Sequence, residues 1–546
     1  MEKFSVLIVG AGPVGLTLAL DLKQKGIDVL VVEQRRHEEP SSARCNTVAS
    51  RTMEIWRKLG VADRVRAAGL TDDYPGDVVW ATRMHGHEIA RLPLASRATR
   101  FLDMTAADAA WPTCEPVHRA SQYCFDPILR NYAEEQGVPF LDATSLSSYE
   151  QDENGVIATV SSVEDGSVRQ FRCRFLVGCD GGRSTVRKQM RVKFSGDAEI
   201  FRMRSRLIRA PWMRDHMKGR PGWMNWFLGP GPIGASVAIN GTDLWLIHVN
   251  LPYGVEDFEQ VDFDRSMRQM LALEPHHQYE ILSGDDWIAR RFVADSFRDR
   301  RVLLCGDAAH IWVPFAGYGM NAGVADAENL AWTLAAYLQG WGGGKLVDAY
   351  EAERRPVTEQ VSRFAMDKAL EYVNGQIRNT APALLDEDGL KGQALRDELG
   401  QRVLAVNIPQ FACSGLNYGY YYESSPVVAY DEEAAPEYGM DSYLPSTVPG
   451  CRLPHFWLPN GTSLYDLTGP WFTLLRFNTG IDVSEFMTAA SKRNIPVKLL
   501  DLGNPDRFLF KHGLTLARPD RHVAWRGDCI PADYDSLLDL VSGHAP

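Results

Sequence analysis

At 546 residues, with 45% hydrophobic and 23% charged residues and no biased tract, the chain is too long for one hydrophobic core and reads as two or three globular domains. A formal net charge of −12 leaves no basic face for nucleic acid or anionic lipid, and no apolar run approaches a membrane span. Nine cysteines without a CxxC pair fit reduced thiols, and His85, His87, His276 and His277 lack further ligands nearby, so neither a disulfide framework nor a metal site is expected.

The first stretch, Phe4 to Glu33, sets the pattern for the rest. An apolar run, Val6 to Val9, meets Gly10, Gly12 and Gly15. A helical pattern from Leu16 to Leu22 follows, and Val29 to Val32 ends on Glu33. This predicts strand, tight turn, helix and parallel strand: Gly10 makes the turn, Gly12 lets backbone approach a pyrophosphate, and Gly15 packs helix on strand. The phosphates then sit at the helix N-terminus, where unpaired N–H groups and the dipole favour negative charge. Glu33 stands where an acid accepts hydrogen bonds from a ribose, which argues against a 2′-phosphate. A second match to the same spacing, Gly229 to Gly234, contains two prolines and precedes a strand pattern, so it is expected to be a turn.

Further along, Arg51 to Leu59 is helical and stopped by Gly60, and Asp77 to Leu94 reads as a hairpin over His85-Gly-His87. Ser121 to Gln136 is helical again, and short strands are expected from Pro139 to Leu176. A strand then ends at Asp180-Gly181-Gly182, with a helix starting at Ser184. From Val192 to Trp287 the pattern is β-rich and aromatic, including Trp226 and His248; one face of such a sheet suits an aromatic ligand. Val302 to Leu304 is a buried strand, Gly306-Asp307 its turn, and Asn321 to Leu338 a helix whose Asp326 and Glu328 suit an N-terminal dipole. A helix around Asp348 is expected to stop at Pro356. Beyond Tyr443, strands at 472–477, 497–500 and 522–525 and helices at 483–492 and 534–541 form a compact α/β unit.

Three motifs now stand in order: the glycines at 10 to 15, Asp180-Gly181 and Gly306-Asp307. With Arg51-Thr-Met-Glu54, Asp126-Pro-Ile-Leu129, Gly306 to His310, Asp326 to Leu330, Leu453-Pro-His455 and Arg518-Pro-Asp520, the chain resembles the FAD-dependent aromatic hydroxylases. These are the single-component flavoprotein monooxygenases typified by para-hydroxybenzoate and phenol hydroxylases; the tail resembles their dichlorophenol and hydroxyphenylpropionate hydroxylase branch. The resemblance implies an α/β fold in which a Rossmann-like FAD-binding domain, in three parts at 1–76, 111–190 and 291–375, interleaves with a β-sheet substrate domain. The substrate domain comprises the insert at 77–110 and residues 191–290. A helical and aromatic connector at 376–442 leads to a C-terminal thioredoxin-like domain at 443–546 that lacks CxxC.

By the same resemblance Gly10, Gly12, Pro13, Gly15 and Glu33 hold the ADP half of tightly but non-covalently bound FAD, and Arg44 and Gln122 touch its linking portion. Asp307 binds near ribityl and pyrophosphate, Asp180 acts on the nicotinamide or flavin side, and Gly319, Met320 and Asn321 complete the cofactor set. Asn46, Trp226, His248 and Pro314 are candidates for the substrate pocket. Asn46 stands where the dichlorophenol branch has histidine, so no catalytic base carries over. After Pro314, Ala316 and Tyr318 depart from the glycine-rich loop of the family. The implied reaction is reduction of FAD by NADH or NADPH, capture of O2 as a flavin hydroperoxide, and hydroxylation of a phenolic or related electron-rich ring. The expected setting is cytoplasmic, with a small aromatic substrate and O2 as partners, no nucleic acid or membrane, and a homodimer as the assembly to test. A flavin oxidoreductase without oxygen insertion and a non-catalytic flavin-binding scaffold are the alternatives. A halogenase would carry Trp-x-Trp-x-Ile-Pro, for which Trp223-Met-Asn-Trp226 is no substitute.

Overall fold

The structure is a computed structural model that describes residues 2–109, 111–197, 199–217, 221–374, 383–503 and 509–544; the start of the connector, 376–382, lies outside the described residues. Its central sheet grows from the N-terminal unit. Glu2–Val9 pairs in parallel with Val29–Val32 on one side and Val168–Gly178 on the other. Val302–Leu304 joins beyond Val168–Gly178, also in parallel, and Phe140–Leu141 closes the opposite edge. Strands covered on both faces are apolar at successive positions, and Val6 to Val9, Val29 to Val32 and Val302 to Leu304 are all buried. Two helices, Pro13–Gln24 and Gly319–Gln339, pack against each other at their N-termini. A Cβ on Gly323 would lie 2.6 Å from Val14 and 2.9 Å from the Cα of Gly306, so this crossing closes only on glycine.

A second sheet runs in the order Glu280–Ile288, Arg202–Arg209, Leu244–Asn250, Gly234–Ala238, Met224–Phe227, Val78–Ala81, Glu88–Leu92. The hairpin over His85 to His87 thus contributes the last two strands, with Val78–Ala81 parallel to Met224–Phe227. Gly229 to Gly234 is the turn joining two antiparallel neighbours of this sheet, as its prolines require. One face carries the helix Phe263–Met270 through Met267 and Met270, and Phe411, at the end of the helix Leu390–Phe411, meets Trp80 and Trp223.

Ser50–Leu59 ends where Gly60 turns left-handed at φ 85°, and Gln122–Glu135 is capped by Ser121. Elsewhere the structure corrects the reading. The helix around Asp348 spans Gly344–Tyr372 and does not stop at Pro356. Proline inside a helix costs about 3 kcal/mol, but Glu353, Arg354, Val357, Val361 and Ala365 are all buried around it, and their packing and ion pairs outweigh that loss. Strands in 139–176 are longer than expected, reaching Val168–Gly178. In the C-terminal unit the sheet order is Val497–Asp501, Phe472–Arg476, Leu514–Ala517, Val523–Gly527. Its third strand was not expected, because four residues carry too little alternation to declare themselves without their partners.

Candidate active site

The three motifs meet at one edge of the central sheet. Val9 and Leu304 both lie opposite Gly178, so the loops that follow them, at Gly10, Cys179 and Cys305, leave neighbouring strand ends side by side. Backbone bonds tie them: Gly10 N–H donates to Val32, Cys179 N–H to Val9 and Cys305 N–H to Gly178, at 2.8 to 2.9 Å. This is the crevice at the carboxyl ends of parallel strands where open α/β sheets bind ligands.

Each glycine of the first motif has a separate cause. Gly10 sits at φ 106° and a Cβ there would lie 2.4 Å from the Cys179 carbonyl oxygen; a Cβ on Gly15 would lie 2.0 Å from the Gly10 oxygen. Gly12 has nothing within 4 Å of its Cβ direction, and no side chain caps the helix it precedes. The first turn of Pro13–Gln24 therefore offers free N–H groups to an open approach, which fits a pyrophosphate. Glu33, at the end of Val29–Val32, accepts from Ala11 N–H at 2.6 Å and from Arg35 N–H at 2.9 Å, fastening the glycine loop to the next strand.

The Gly306-Asp307 turn is fixed from beneath by Asp326. One Asp326 oxygen takes Gly306 N–H at 3.3 Å and His310 Nε2 at 2.6 Å, and the other takes Arg354 Nε at 2.7 Å. Burial works to raise this carboxyl, but His310 and Arg354 outweigh it and hold it below the usual range. Asp326 thus serves this knot rather than the helix dipole. Asp307 differs: solvent reaches its side chain, yet crowding by protein raises its carboxyl against the pull of His310 and Arg44. An acid that is wet but enclosed is suited to accept hydroxyl hydrogen bonds. Asp180 caps the helix Thr185–Met190, taking Ser184 Oγ–H at 2.5 Å and the N–H groups of Thr185 and Val186 at 2.7 and 3.2 Å. Arg187 of that helix donates to the Ala308 carbonyl at 3.3 Å, which links the second motif to the third.

Asn321 organises the facing loop. Its Oδ1 accepts from Ala49 N–H at 2.8 Å, and its Nδ2 donates to the carbonyls of Thr47 and Gly317 at 3.0 and 2.8 Å. Cys45 lies in the same segment, its thiol pushed up to about 12 by burial. Gln122 N–H donates to the carbonyls of Arg44 and Cys45. Arg44 is exposed and pairs with Asp285 of the second sheet, Nε to Oδ2 at 2.7 Å. Gly319 has only Trp312 Cβ near it, Met320 packs on the main core, and Pro314 is exposed ahead of the short turn Phe315–Gly317. Tyr318 is buried and stacked on Trp312.

The Arg44 pair also fixes which face of the second sheet looks at this crevice. Asp285 lies opposite Ser205, and Ser205 opposite His248, so these side chains share a face. Trp287 Nε1 donates to Ser205 Oγ at 2.8 Å, and Ser205 Oγ lies 2.7 Å from His248 Nδ1. Ser205 Oγ accepts the indole N–H and keeps its own hydrogen to donate to Nδ1; in that arrangement the imidazole carries its proton on Nε2. Burial lowers His248 to about 4, so the ring is neutral near pH 7, and Nε2 has no partner among the described residues. Trp226 shares the face and packs against the cluster that holds Val313 and Phe315. Asn46 has a buried Oδ1 without a hydrogen-bond partner among the described residues.

Sequence reasoning missed Arg354, Ser205 and Trp287, whose roles depend on partners far along the chain. It quoted Asp126 only within a motif. Burial raises that carboxyl to about 7 against Arg35, Ser41 and Gln122, and its Oδ1 has no hydrogen-bond partner among the described residues. A buried acid inside Asp-Pro, one helical turn beyond a cap, is the signal that was available.

This architecture matches known proteins. Residues 3–365 match the family model described as FAD binding domain, and residues 446–544 that of the aromatic-ring hydroxylase C-terminal domain. The chain belongs to the FAD-dependent aromatic-ring hydroxylases, and its cofactor is FAD. Among curated relatives, it is 32% identical to tetracenomycin A2 monooxygenase-dioxygenase of Streptomyces glaucescens, covering 97% of this chain and 95% of that one. It is 28% identical to phenol 2-monooxygenase of Pseudomonas sp. (strain EST1001), covering 98% and 92%. Its fold superimposes on RebC with bound 7-carboxy-K252c at a TM-score of 0.89 and 34% identity, covering all of both chains. Among the described residues no helix is long and apolar enough to cross a membrane.

Proposed function

We propose that the chain hydroxylates a planar, phenolic, fused-ring substrate lying on the second sheet's inner face, with NAD(P)H as electron donor and O2 as oxygen source. Two likenesses support the fused-ring class: the tetracenomycin A2 enzyme is named for a monooxygenase-dioxygenase reaction, and RebC holds 7-carboxy-K252c. When bound, FAD supplies electron transfer from NAD(P)H and the activation of O2. The residues to hold it are Gly10, Gly12, Pro13, Gly15, Glu33 and Asp307, with Arg44, Gln122, Asp180, Gly319, Met320 and Asn321 around the linking and ring portions. Asp180, occupied in capping, serves by positioning its helix.

The observation that carries the reading is the Trp287, Ser205, His248 series, which leaves Nε2 of a neutral imidazole without a partner among the described residues; with the proton on Nε2 the ring is an N–H donor on the sheet's inner face. A neutral N–H donor orients a ring hydroxyl or carbonyl oxygen without taking its proton, while Trp226, Phe315 and Pro314 supply apolar walls that exclude water. Asn46 offers a carbonyl oxygen to a substrate hydroxyl. The test is a panel of naphthols, hydroxyanthraquinones and simple phenols added to the yellow, flavin-loaded protein. Expected is NAD(P)H consumption stimulated by a fused-ring member, with one oxygen atom added by mass; His248→Phe should divert turnover to H2O2. Consumption that no aromatic compound stimulates, or that yields peroxide alone with every compound, defeats the proposal.

A further inference from the structure

His522 of the C-terminal unit is buried, and its partners fix how its ring is used. A carbonyl can only accept, so Nδ1 carries the proton and donates to Gly450 at 2.8 Å, which leaves Nε2 to accept from Arg51 Nη2–H at 2.7 Å. The same ring stacks on two tyrosines of the connector, Tyr422 at 4.1 Å and Tyr420 at 5.9 Å. Two of these neighbours lead to the cofactor crevice. Arg51 belongs to the first turn of the helix Ser50–Leu59, and the Ala49 N–H just before it is held by Asn321 Oδ1 at 2.8 Å. The guanidiniums of Arg51 and Arg354 lie over the Tyr420 ring, at 4.5 and 5.1 Å from its centre. Arg354 in turn donates to Asp326, which takes the Gly306 N–H.

We infer that His522 is a positioning residue for FAD. One imidazole of the tail holds two loops of the crevice in register: the Gly306-Asp307 turn through Tyr420, Arg354 and Asp326, and the Asn321 loop through Arg51. The inference rests on the assignment of that turn and that loop to FAD. His522, Arg51, Tyr420, Arg354, Asp326 and Asn321 are each no more than 5% exposed, so the path has no solvent-filled slack in which a displacement could be lost. Interiors packed at crystal density pass such displacements on. Linkage then works in both directions. Docking of the tail favours FAD, and FAD favours docking of the tail by the same factor, which for coupled sites is roughly 5- to 150-fold. The C-terminal unit thereby has a task beyond covering apolar surface.

Three variants of the full-length protein test this. His522→Phe keeps a plate against the tyrosines but removes the acceptor for Arg51, and His522→Gln returns one. Leu538→Ala destabilises the unit from its helix Tyr534–Val541, outside this bridge. In His522→Phe the FAD dissociation constant should rise about 10-fold, and the visible circular dichroism of the flavin still bound should change. His522→Gln should recover most of both, and Leu538→Ala should change neither at a temperature where every variant is folded. An unchanged constant in folded His522→Phe, no recovery in His522→Gln, or an equal loss in Leu538→Ala overturns the inference. Flavin fully kept by Asp307→Ala would instead remove the assignment of the turn to FAD, so the two failures are distinct. If His522→Phe does not fold, hydrogen exchange of the unsubstituted protein decides. FAD should protect Val523–Gly527 more than the helix Tyr534–Val541 of the same unit, and equal protection of both overturns the inference.

Discussion

The crevice at the strand ends and the seam under the C-terminal unit are both rich in buried charge, and they treat it in opposite ways. In the seam each acid has a cation. Glu353 takes both Nη groups of Arg518 at 2.5 and 2.7 Å, Asp520 takes Arg518 as well, Glu54 takes Arg452 at 2.7 Å, and Glu328 takes Lys58 at 2.9 Å. Burial raises the Asp520 carboxyl, but Arg518 and His522 outweigh it and hold it below the ordinary range. In the crevice Asp126, Asp180 and Asp307 are all raised: burial for Asp126 and Asp180, and crowding by protein around the solvent-reached Asp307, outweigh the cations and hydrogen bonds that oppose them. The difference separates a surface built to stay closed from one built to receive a ligand.

Removing the seam should have the largest effect. The core beneath the tail is shared: Trp332, Ala336, Trp341 and Leu346 of the FAD-binding part pack with Phe472, Leu474, Phe486 and Leu538. Truncation before Tyr443 uncovers that face, and aggregation of the shortened chain, followed by light scattering, is the expected outcome. A monodisperse, yellow truncated protein would mean the tail is dispensable for folding. Next comes Arg518→Met, which strands Glu353 and Asp520 without their guanidinium. Breaking a buried pair from one side costs about 3 to 5 kcal/mol, read as a fall in unfolding free energy with denaturant.

Within the crevice the two motif aspartates should separate. Asp307→Ala removes an acid that makes no hydrogen bond among the described residues and should weaken FAD retention by about 1.5 to 3 kcal/mol, measured as flavin released on dilution. Asp180→Ala removes a helix cap and should instead cost about 0.5 to 2 kcal/mol of stability with flavin largely kept. Equal flavin loss in both would erase that division. Asp126 gives a pH signature. Its folded-state value, about 7, lies above the ordinary 3.8, so the folded protein holds a proton that the unfolded chain releases. Stability contributed by that group is present at low pH and is lost as pH rises from about 4 to about 7, so Asp126→Asn should gain on the unsubstituted protein across that window, by about 4 kcal/mol. Parallel stability curves for the two proteins would refute the buried, protonated acid.

How much of this was legible in the sequence follows the range of each interaction. The glycines at 10 to 15, the strand Val302–Leu304 and the stop at Gly60 depend on neighbours within a turn or two, and they read out directly. Family resemblance supplied the order of the three motifs, and strand register then brought them to one edge. The roles of Arg354, Arg518, Ser205 and Trp287 stayed hidden, because a side chain states nothing about a partner 28 to 165 residues away. Pro356 misled for the same reason: the local rule was right and tertiary packing overrode it.

The smallest effect expected is at the cysteines of the tail, and it sharpens the contrast between seam and crevice. Cys451 is buried and burial pushes its thiol up to about 12, while Cys529 is exposed; neither is in a disulfide. A thiol raised so far holds almost no thiolate near neutral pH, so Cys451 is neither a nucleophile nor a redox partner. Cys529 is accessible but has no second cysteine within two residues. Replacing both by Ser should leave turnover and the ratio of product to peroxide unchanged. The only cost should be a modest loss of stability from placing a hydroxyl at the Cys451 site. Loss of turnover with FAD still bound in the double variant would show that the tail takes part in the chemistry as well as in the seam.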